Sequence, residues 1–168
     1  MQNEKFFVVL GEPCGKGRPR FSTKTGRTYT PQKTQNYENL VKMQYALDFG
    51  VERFSDKAML GMSIMAYYGI PKSASKKKQE DMRLGIVRPT KKPDMDNVVK
   101  IIADSLNGVA YHDDTQIVDC LCRKFYSDNP RVVVKIREVA SCANRYHLKY
   151  DSEEEINDEE LRRAHLEW

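Results

Sequence analysis

The chain has 168 residues, 40% of them hydrophobic and 31% charged, which suffices for one domain with a proper core and is too little for two. The formal charge of +4 hides an asymmetry: residues 151–168 hold eight acids against Arg162 and Arg163, a net −6, while residues 1–150 carry 26 basic and 16 acidic side chains, a net +10. A body so charged suits a polyanionic partner, and no apolar run approaches the ~20 residues of a bilayer span, which excludes a helical membrane protein.

The expected organisation is therefore one domain over residues 1–150 and an acidic, helix-compatible tail over 151–168. Residues 1–5 lack the basic and then apolar build of a secretion signal, so a cytoplasmic location is expected.

Residues 5–11 read as a short apolar strand that runs into a loop over 12–21 rich in Gly, Pro and Arg. Residues 23–28 predict a tight hairpin, with Gly26 supplying the positive φ that such turns need. Pro31 opens a helix through about Phe49, with Tyr37, Leu40, Val41, Gln44 and Leu47 marking one face and Gly50 closing it. Residues 58–70 predict a strand in which Met62, Ile64, Ala66 and Tyr68 alternate. Residues 73–84 read as a polar, lysine-rich helix capped by Ser73 or Ser75, and 88–93 as an extended linker.

A helix over 96–106 then stops at Asn107-Gly108. Strands over 116–127 and 131–137 follow, joined through Asp128-Asn129-Pro130 as a hairpin. Strand, helix, strand, helix, helix, strand, strand is an α+β order, a small mixed β-sheet packed against helices in a single domain. Cys14, Cys120, Cys122 and Cys142 contain no C-x-x-C pair, and Cys120 and Cys122 share one strand face. They read as reduced, buried structural thiols in preference to a zinc site with His112 or His147.

The chemistry is concentrated in Lys92-Pro93-Asp94-Met95-Asp96-Asn97-Val98-Val99-Lys100, followed by Asn107-Gly108 and Asp113-Asp114-Thr115-Gln116-Ile117. At about 100° per residue, Asp96, Lys100 and Asp104 fall on one helical stripe, and Val98, Ile101, Ile102 and Leu106 fall on the other side. Taken singly, Asp96 reads as an N-cap and Lys100 as an i,i+4 partner for Asp96 and Asp104. Taken together, they read differently. If the loop over 107–112 doubles back, Asp113-Asp114 comes beside the helix N-terminus and three aspartates share a metal.

Hard oxygen ligands suit Mg²⁺ or Mn²⁺, and basic surroundings suit a phosphodiester substrate. An EF-hand is excluded, because Val99 stands where its glycine belongs and Ser105 where its closing Glu belongs. The lysines and arginines nearby argue against a neutral sugar, and no G-x-x-x-x-G-K-[ST] is present.

Two basic segments are candidates for DNA contacts. Lys16, Arg18, Arg20, Lys24, Arg27 and Lys33 surround the first loop and hairpin, with Phe21 and Tyr29 interleaved. Lys72, Lys76, Lys77, Lys78, Arg83, Arg88, Lys91 and Lys92 line the approach to the acidic motif. Phe21 and Tyr29 are expected in the core rather than as wedges between bases.

Lys92-Pro93-Asp94-x-Asp96-Asn97-x-x-Lys100, Asp104-x-Leu106-Asn107-Gly108 and Asp113-Asp114-x-Gln116-Ile117-Val118-Asp119 together closely resemble the RusA-type Holliday-junction resolvase family. Gly11-Glu12-Pro13-x-x-Lys16-Gly17-Arg18-Pro19-Arg20-Phe21 and Tyr29-Thr30-Pro31 resemble that family's opening, and the resemblance covers about residues 5–138.

It implies a symmetric homodimer that introduces paired Mg²⁺-dependent nicks in four-way DNA junctions during recombination and repair, with Mn²⁺ able to substitute. Carried over motif by motif, Asp94, Asp96 and Asp114 would be the catalytic metal-binding acids and Lys100 the essential basic residue, with Asp104 and Asp113 in support. DNA contacts would come from Lys16, Arg18, Arg20, Lys24, Arg27, Lys76, Lys77 and Lys92. A flap or branched-DNA nuclease with the same residues is one alternative, and a non-catalytic junction-binding protein is the other.

Overall fold

The computed structural model describes residues 3–23 and 26–139. The tail over 151–168, Lys24, Cys142 and His147 lie outside the described residues. In chain order the elements are β1 (Glu4–Leu10), β2 (Arg20–Ser22), β3 (Arg27–Tyr29), α1 (Gln32–Phe49), β4 (Leu60–Gly69), α2 (Lys76–Arg83), α3 (Met95–Leu106), a 3-10 turn (Asp114–Gln116), β5 (Ile117–Ser127) and β6 (Arg131–Glu138).

Four strands form one mixed sheet in the order β1-β6-β4-β5, and β2 pairs with β3 apart from it. Strands β1, β6 and β4 are antiparallel neighbours, whereas β4 and β5 run parallel, with α2 and α3 in the crossover that parallel pairing requires.

The expected hairpin between β5 and β6 does not form, because β4 lies between them. The reason is burial. Val132, Val133 and Val134 of β6 are fully buried and belong inside the sheet, whereas Val118, Asp119 and Cys120 of β5 are exposed and tolerate an edge. Asp128-Asn129-Pro130 therefore crosses the end of β4, a step of two strand spacings or roughly 10 Å.

One face of the sheet, with Phe7, Val9, Met62, Ile64, Val134 and Ile136, carries α1 and α3. In α1 the buried row is Thr34, Tyr37, Val41 and Tyr45, spaced three and four apart. Leu40 and Leu47, expected on that face, are 40% and 77% exposed. Tyr45 can take the inner position because its hydroxyl donates to Glu52 O at 2.7 Å, so the ring is buried without stranding the polar tip.

Helix α2 starts after Ser75, whose hydroxyl accepts from Lys78 N, and Ser73 lies outside it. Among the described residues no helix is long and apolar enough to cross a membrane.

Candidate active site

Helix α3 begins at Met95 with Asp94 at its N-cap, so the cap is Asp94 and not the expected Asp96. The Asp94 carboxylate makes no capping hydrogen bond. Val98, Ile101, Ile102 and Leu106 are fully buried against the sheet and α1, so the helix is locked in rotation and its Asp96 and Lys100 side faces out. The expected ion pairs of Lys100 with Asp96 and Asp104 do not form among the described residues. Asp104 pairs instead with Lys16 Nζ at 2.9 Å.

After Leu106 the chain turns back. Gly108, at φ 71°, donates its amide to Tyr111 O at 2.8 Å. The buried Tyr111 hydroxyl donates to Ala103 O at 2.8 Å, which fastens the returning loop to α3. The 3-10 turn that follows is set by two side chains. Asp113 accepts from Thr115 N at 3.0 Å, and Gln116 donates to Ser55 O at 2.8 Å and Ala58 O at 3.1 Å while accepting from His112 N at 2.9 Å.

The result is a cleft of about 670 Å³ lined by Met95, Asp96, Val99, Lys100, Ala103, Asp114, Ile117, Cys120 and Cys122. Asp96, Lys100 and Asp114, from two separate elements, thus face one shared space. Asp94, Asp104 and Asp113 stand outside that lining. Among the described residues no three His, Cys, Asp or Glu close to direct-ligand spacing.

The charges in the cleft oppose one another. Burial pushes the Asp114 carboxyl above its usual range, and the neighbouring Asp113 and Asp104 push it further. Asp113 moves the other way, because the Thr115 hydroxyl and amide hydrogen-bond to its ionised form. The Tyr111 hydroxyl is held protonated by burial and then by Asp114 and Asp104.

The loop before β2 clamps this site, which residue spacing alone did not reveal. Lys16 N donates to Asn97 O at 2.8 Å, and a Cβ on Gly15 would lie 2.5 Å from Pro93 Cβ and 3.2 Å from Asn97 Cβ. On Gly17 it would lie 2.6 Å from Thr34 Oγ1. Only glycines let this loop touch both helices.

Between them, Lys16 Nζ pairs with Glu38 and Asp104. Burial works against its charge, yet the two carboxylates outweigh that and raise its pKa. Lys16 is thus a tie between the loop, α1 and α3. The signal was present in Gly15-Lys16-Gly17, since two glycines flanking a lysine mark a close backbone approach as well as a basic loop.

Lys24 apart, the remaining predicted contacts lie on the surface. Arg18, Arg20 and Arg27 are exposed on and beside the β2–β3 hairpin, as are Lys76 and Lys77 at the start of α2 and Lys92 before α3. Phe21 and Tyr29 are not core residues: they are 65% and 48% exposed. A two-stranded ribbon of three residues a side has no second layer to bury them. Cys120, expected to be buried, is exposed at the sheet edge, while Cys14 is buried and Cys122 half-buried. Burial pushes the Cys122 thiol up to about 11, so it is no ready thiolate ligand.

Two comparisons bear on this geometry. Residues 11–137 match the protein family described as Endodeoxyribonuclease RusA. A protein of Bacillus subtilis (strain 168), described as uncharacterized protein YqaN, is 41% identical over 142 residues, which is 80% of this chain and 96% of that protein.

Proposed function

The chain belongs to the RusA endodeoxyribonuclease family, and we propose that it acts as a homodimer that resolves four-way DNA junctions by paired, Mg²⁺-dependent nicks. The observation that carries this reading is the cleft shared by Asp96, Lys100 and Asp114, two hard oxygen donors beside one ammonium.

The donor set fits Mg²⁺, which keeps several of its waters and takes one or two protein carboxylates. Asp96 and Asp114 would hold it, with the uncapped Asp94 as the third acid, and Mn²⁺ would accept the same oxygens. Burial first, and then the negative charge of Asp113 and Asp104, raise the Asp114 pKa, and a cation beside the carboxylate would offset both. A divalent ion held by these acids would supply Lewis acidity, the chemistry needed to acidify a water and offset charge on the departing 3′ oxygen.

The chain's own groups do the rest. Lys100 contacts the scissile phosphate and offsets charge on its non-bridging oxygens. Met95, Val99, Ala103 and Ile117 exclude bulk water along the cleft wall and so strengthen the charges beside them. Asp104 acts through Lys16, and Asp113 acts by capping the turn that carries Asp114.

The exposed Arg18, Arg20, Arg27, Lys76, Lys77 and Lys92 take the phosphate backbone, offsetting the repulsion of DNA by the acids. Phe21 and Tyr29 on the hairpin present aromatic faces on which unpaired bases can stack.

The test is cleavage of a synthetic four-way junction, a flap and a linear duplex at matched salt, with Mg²⁺, Mn²⁺ or chelator. Symmetric nicks bearing 5′-phosphates on the junction, lost with chelator, are expected. Equal rates on the flap would move the assignment to a general branched-DNA nuclease. Tight junction binding with no nicks in either metal would make this a binding protein.

A further inference from the structure

Lys124 lies in β5, the strand that begins directly after the Asp114 turn, and only 8% of it is exposed. A buried ammonium is costly unless acceptors surround it. Here it has no carboxylate in ion-pair range among the described residues. Instead Nζ donates to Lys91 O at 2.7 Å and Pro93 O at 3.0 Å, and it stands 5.3 Å from the centre of the Tyr68 ring.

The Lys124 carbonyl accepts from Arg88 Nε at 2.9 Å. One residue of β5 therefore ties down both ends of the irregular segment 88–93. The peptide whose oxygen it grips at Pro93 is the one whose nitrogen belongs to Asp94, the N-cap of α3.

We propose that Lys124 is a positioning residue: its buried ammonium sets the distance between β5 and the 91–93 segment, and so fixes the backbone that carries Asp94 into the N-terminus of α3, from which its carboxylate would join Asp96 and Asp114 on a metal ion. The assignment rests on the reading of these three acids as metal ligands. An ammonium suits the task because it supplies three donors from one point to carbonyls of different residues. A methionine of similar length fills the same space and leaves both carbonyls without a donor.

The experiment compares full-length Lys124→Met, Lys124→Gln and Lys5→Met with the wild type. Lys5 is a second buried lysine, 4% exposed, paired with Glu52 at 3.0 Å and 4.8 Å from the Phe49 ring centre, at a site formed by β1, α1 and the loop that follows α1. It controls for the general cost of removing a buried lysine. The readouts are Mn²⁺ affinity of the DNA-free protein by calorimetry, thermal midpoint, and single-turnover nicking with junction affinity measured separately.

Lys124→Met is expected to weaken Mn²⁺ binding by about 10–100-fold, the usual cost of losing a group that orients a ligand, and to slow nicking similarly with junction affinity within about twofold of wild type. Lys124→Gln, which keeps amide donors, should recover part of the Mn²⁺ affinity, and Lys5→Met should lose thermal stability alone. Wild-type Mn²⁺ affinity in folded Lys124→Met overturns the proposal, as does an equal loss in Lys5→Met at equal thermal midpoint. If Lys124→Met does not fold, wild-type affinity in Lys124→Gln with neither carbonyl bond retained in its structure overturns it. A wild type that binds Mn²⁺ and nicks nothing would defeat the nuclease reading and leave the Lys124 test standing, whereas one that binds no Mn²⁺ defeats both.

Discussion

Helix α3 and the β2–β3 hairpin both present charge to the outside, and they differ in what lies beneath. Below the Asp96 and Lys100 stripe are four fully buried apolar side chains, a closely packed glycine loop and a tyrosine bonded to Ala103 O. Among the described residues, Arg20 and Arg27 stand on a ribbon of three residues a strand that is separate from the four-stranded sheet. Groups that must meet a reacting phosphate within fractions of an ångström need the first kind of support, while groups that follow a phosphate backbone work from the second.

The largest effect should come from α3 and its partner turn. Asp96→Asn or Asp114→Asn is expected to slow nicking by roughly a thousandfold, about 4 kcal/mol of transition-state stabilisation, because a neutral amide holds a divalent ion poorly. Junction affinity should stay the same or tighten, since a repelling charge has gone. Mobility shifts run beside nicking assays check this, and a parallel fall in both would erase the distinction between the two regions.

Gly15→Ala probes the support itself. The new methyl meets Pro93 Cβ, which sits in a ring bonded directly to the backbone and can move only with the chain entering α3. A cost of about 1–3 kcal/mol in urea unfolding is expected, with nicking falling alongside it. The double variant Arg20→Glu, Arg27→Glu should do the reverse. It should weaken junction binding roughly tenfold and lower the salt slope by about 0.9 for each DNA phosphate no longer neutralised, with the thermal midpoint unchanged. An unfolded hairpin variant would show that the ribbon is part of the core after all.

How much of this was legible beforehand depends on the range of the physics involved. The apolar face of α3 is a local periodicity, and Val98, Ile101, Ile102 and Leu106 are buried as expected. So is the α+β order, because each element carries its own pattern. In α1 the same logic failed for Leu40 and Leu47, since a tyrosine with a carbonyl to reach can outcompete a leucine for the inner row. Strand β6 pairs with β1 and β4 rather than with its chain neighbour, a choice made by how many faces of Val132 and Val133 must be covered, which no turn sequence records. Within the candidate site, spacing put Asp96 and Lys100 on one helical stripe and Asp113-Asp114 after the returning loop, while the family resemblance singled out Asp114, and Asp96, Lys100 and Asp114 do line one cleft. Tyr111, Gly15 and Lys124 act through backbone carbonyls and close approach, and those partners become neighbours only after folding.

The smallest effect concerns the adjacent pair Asp113 and Asp114, which sit in one turn and have opposite needs. Folding raises the Asp114 pKa above its ordinary 3.8, so its ionised form opposes folding. That penalty is absent while the group is protonated in both states, below pH 3.8, grows as pH rises towards the folded-state pKa, and is complete above it. Asp114→Asn should therefore raise the thermal midpoint at pH 7 and leave it unchanged near pH 3, even though the same substitution is expected to slow cleavage. Folding lowers the Asp113 pKa, so its hydrogen bonds with Thr115 stabilise above pH 3.8 and fade as pH falls through the lowered value. Asp113→Ala should lower the midpoint at pH 7 and lose that effect in strong acid. Melting curves of both variants from pH 2 to 7 should diverge in opposite directions as the pH rises. A destabilised Asp114→Asn at pH 7 would mean that the carboxylate supports the turn, as Asp113 does, and is not held there against the interests of the fold.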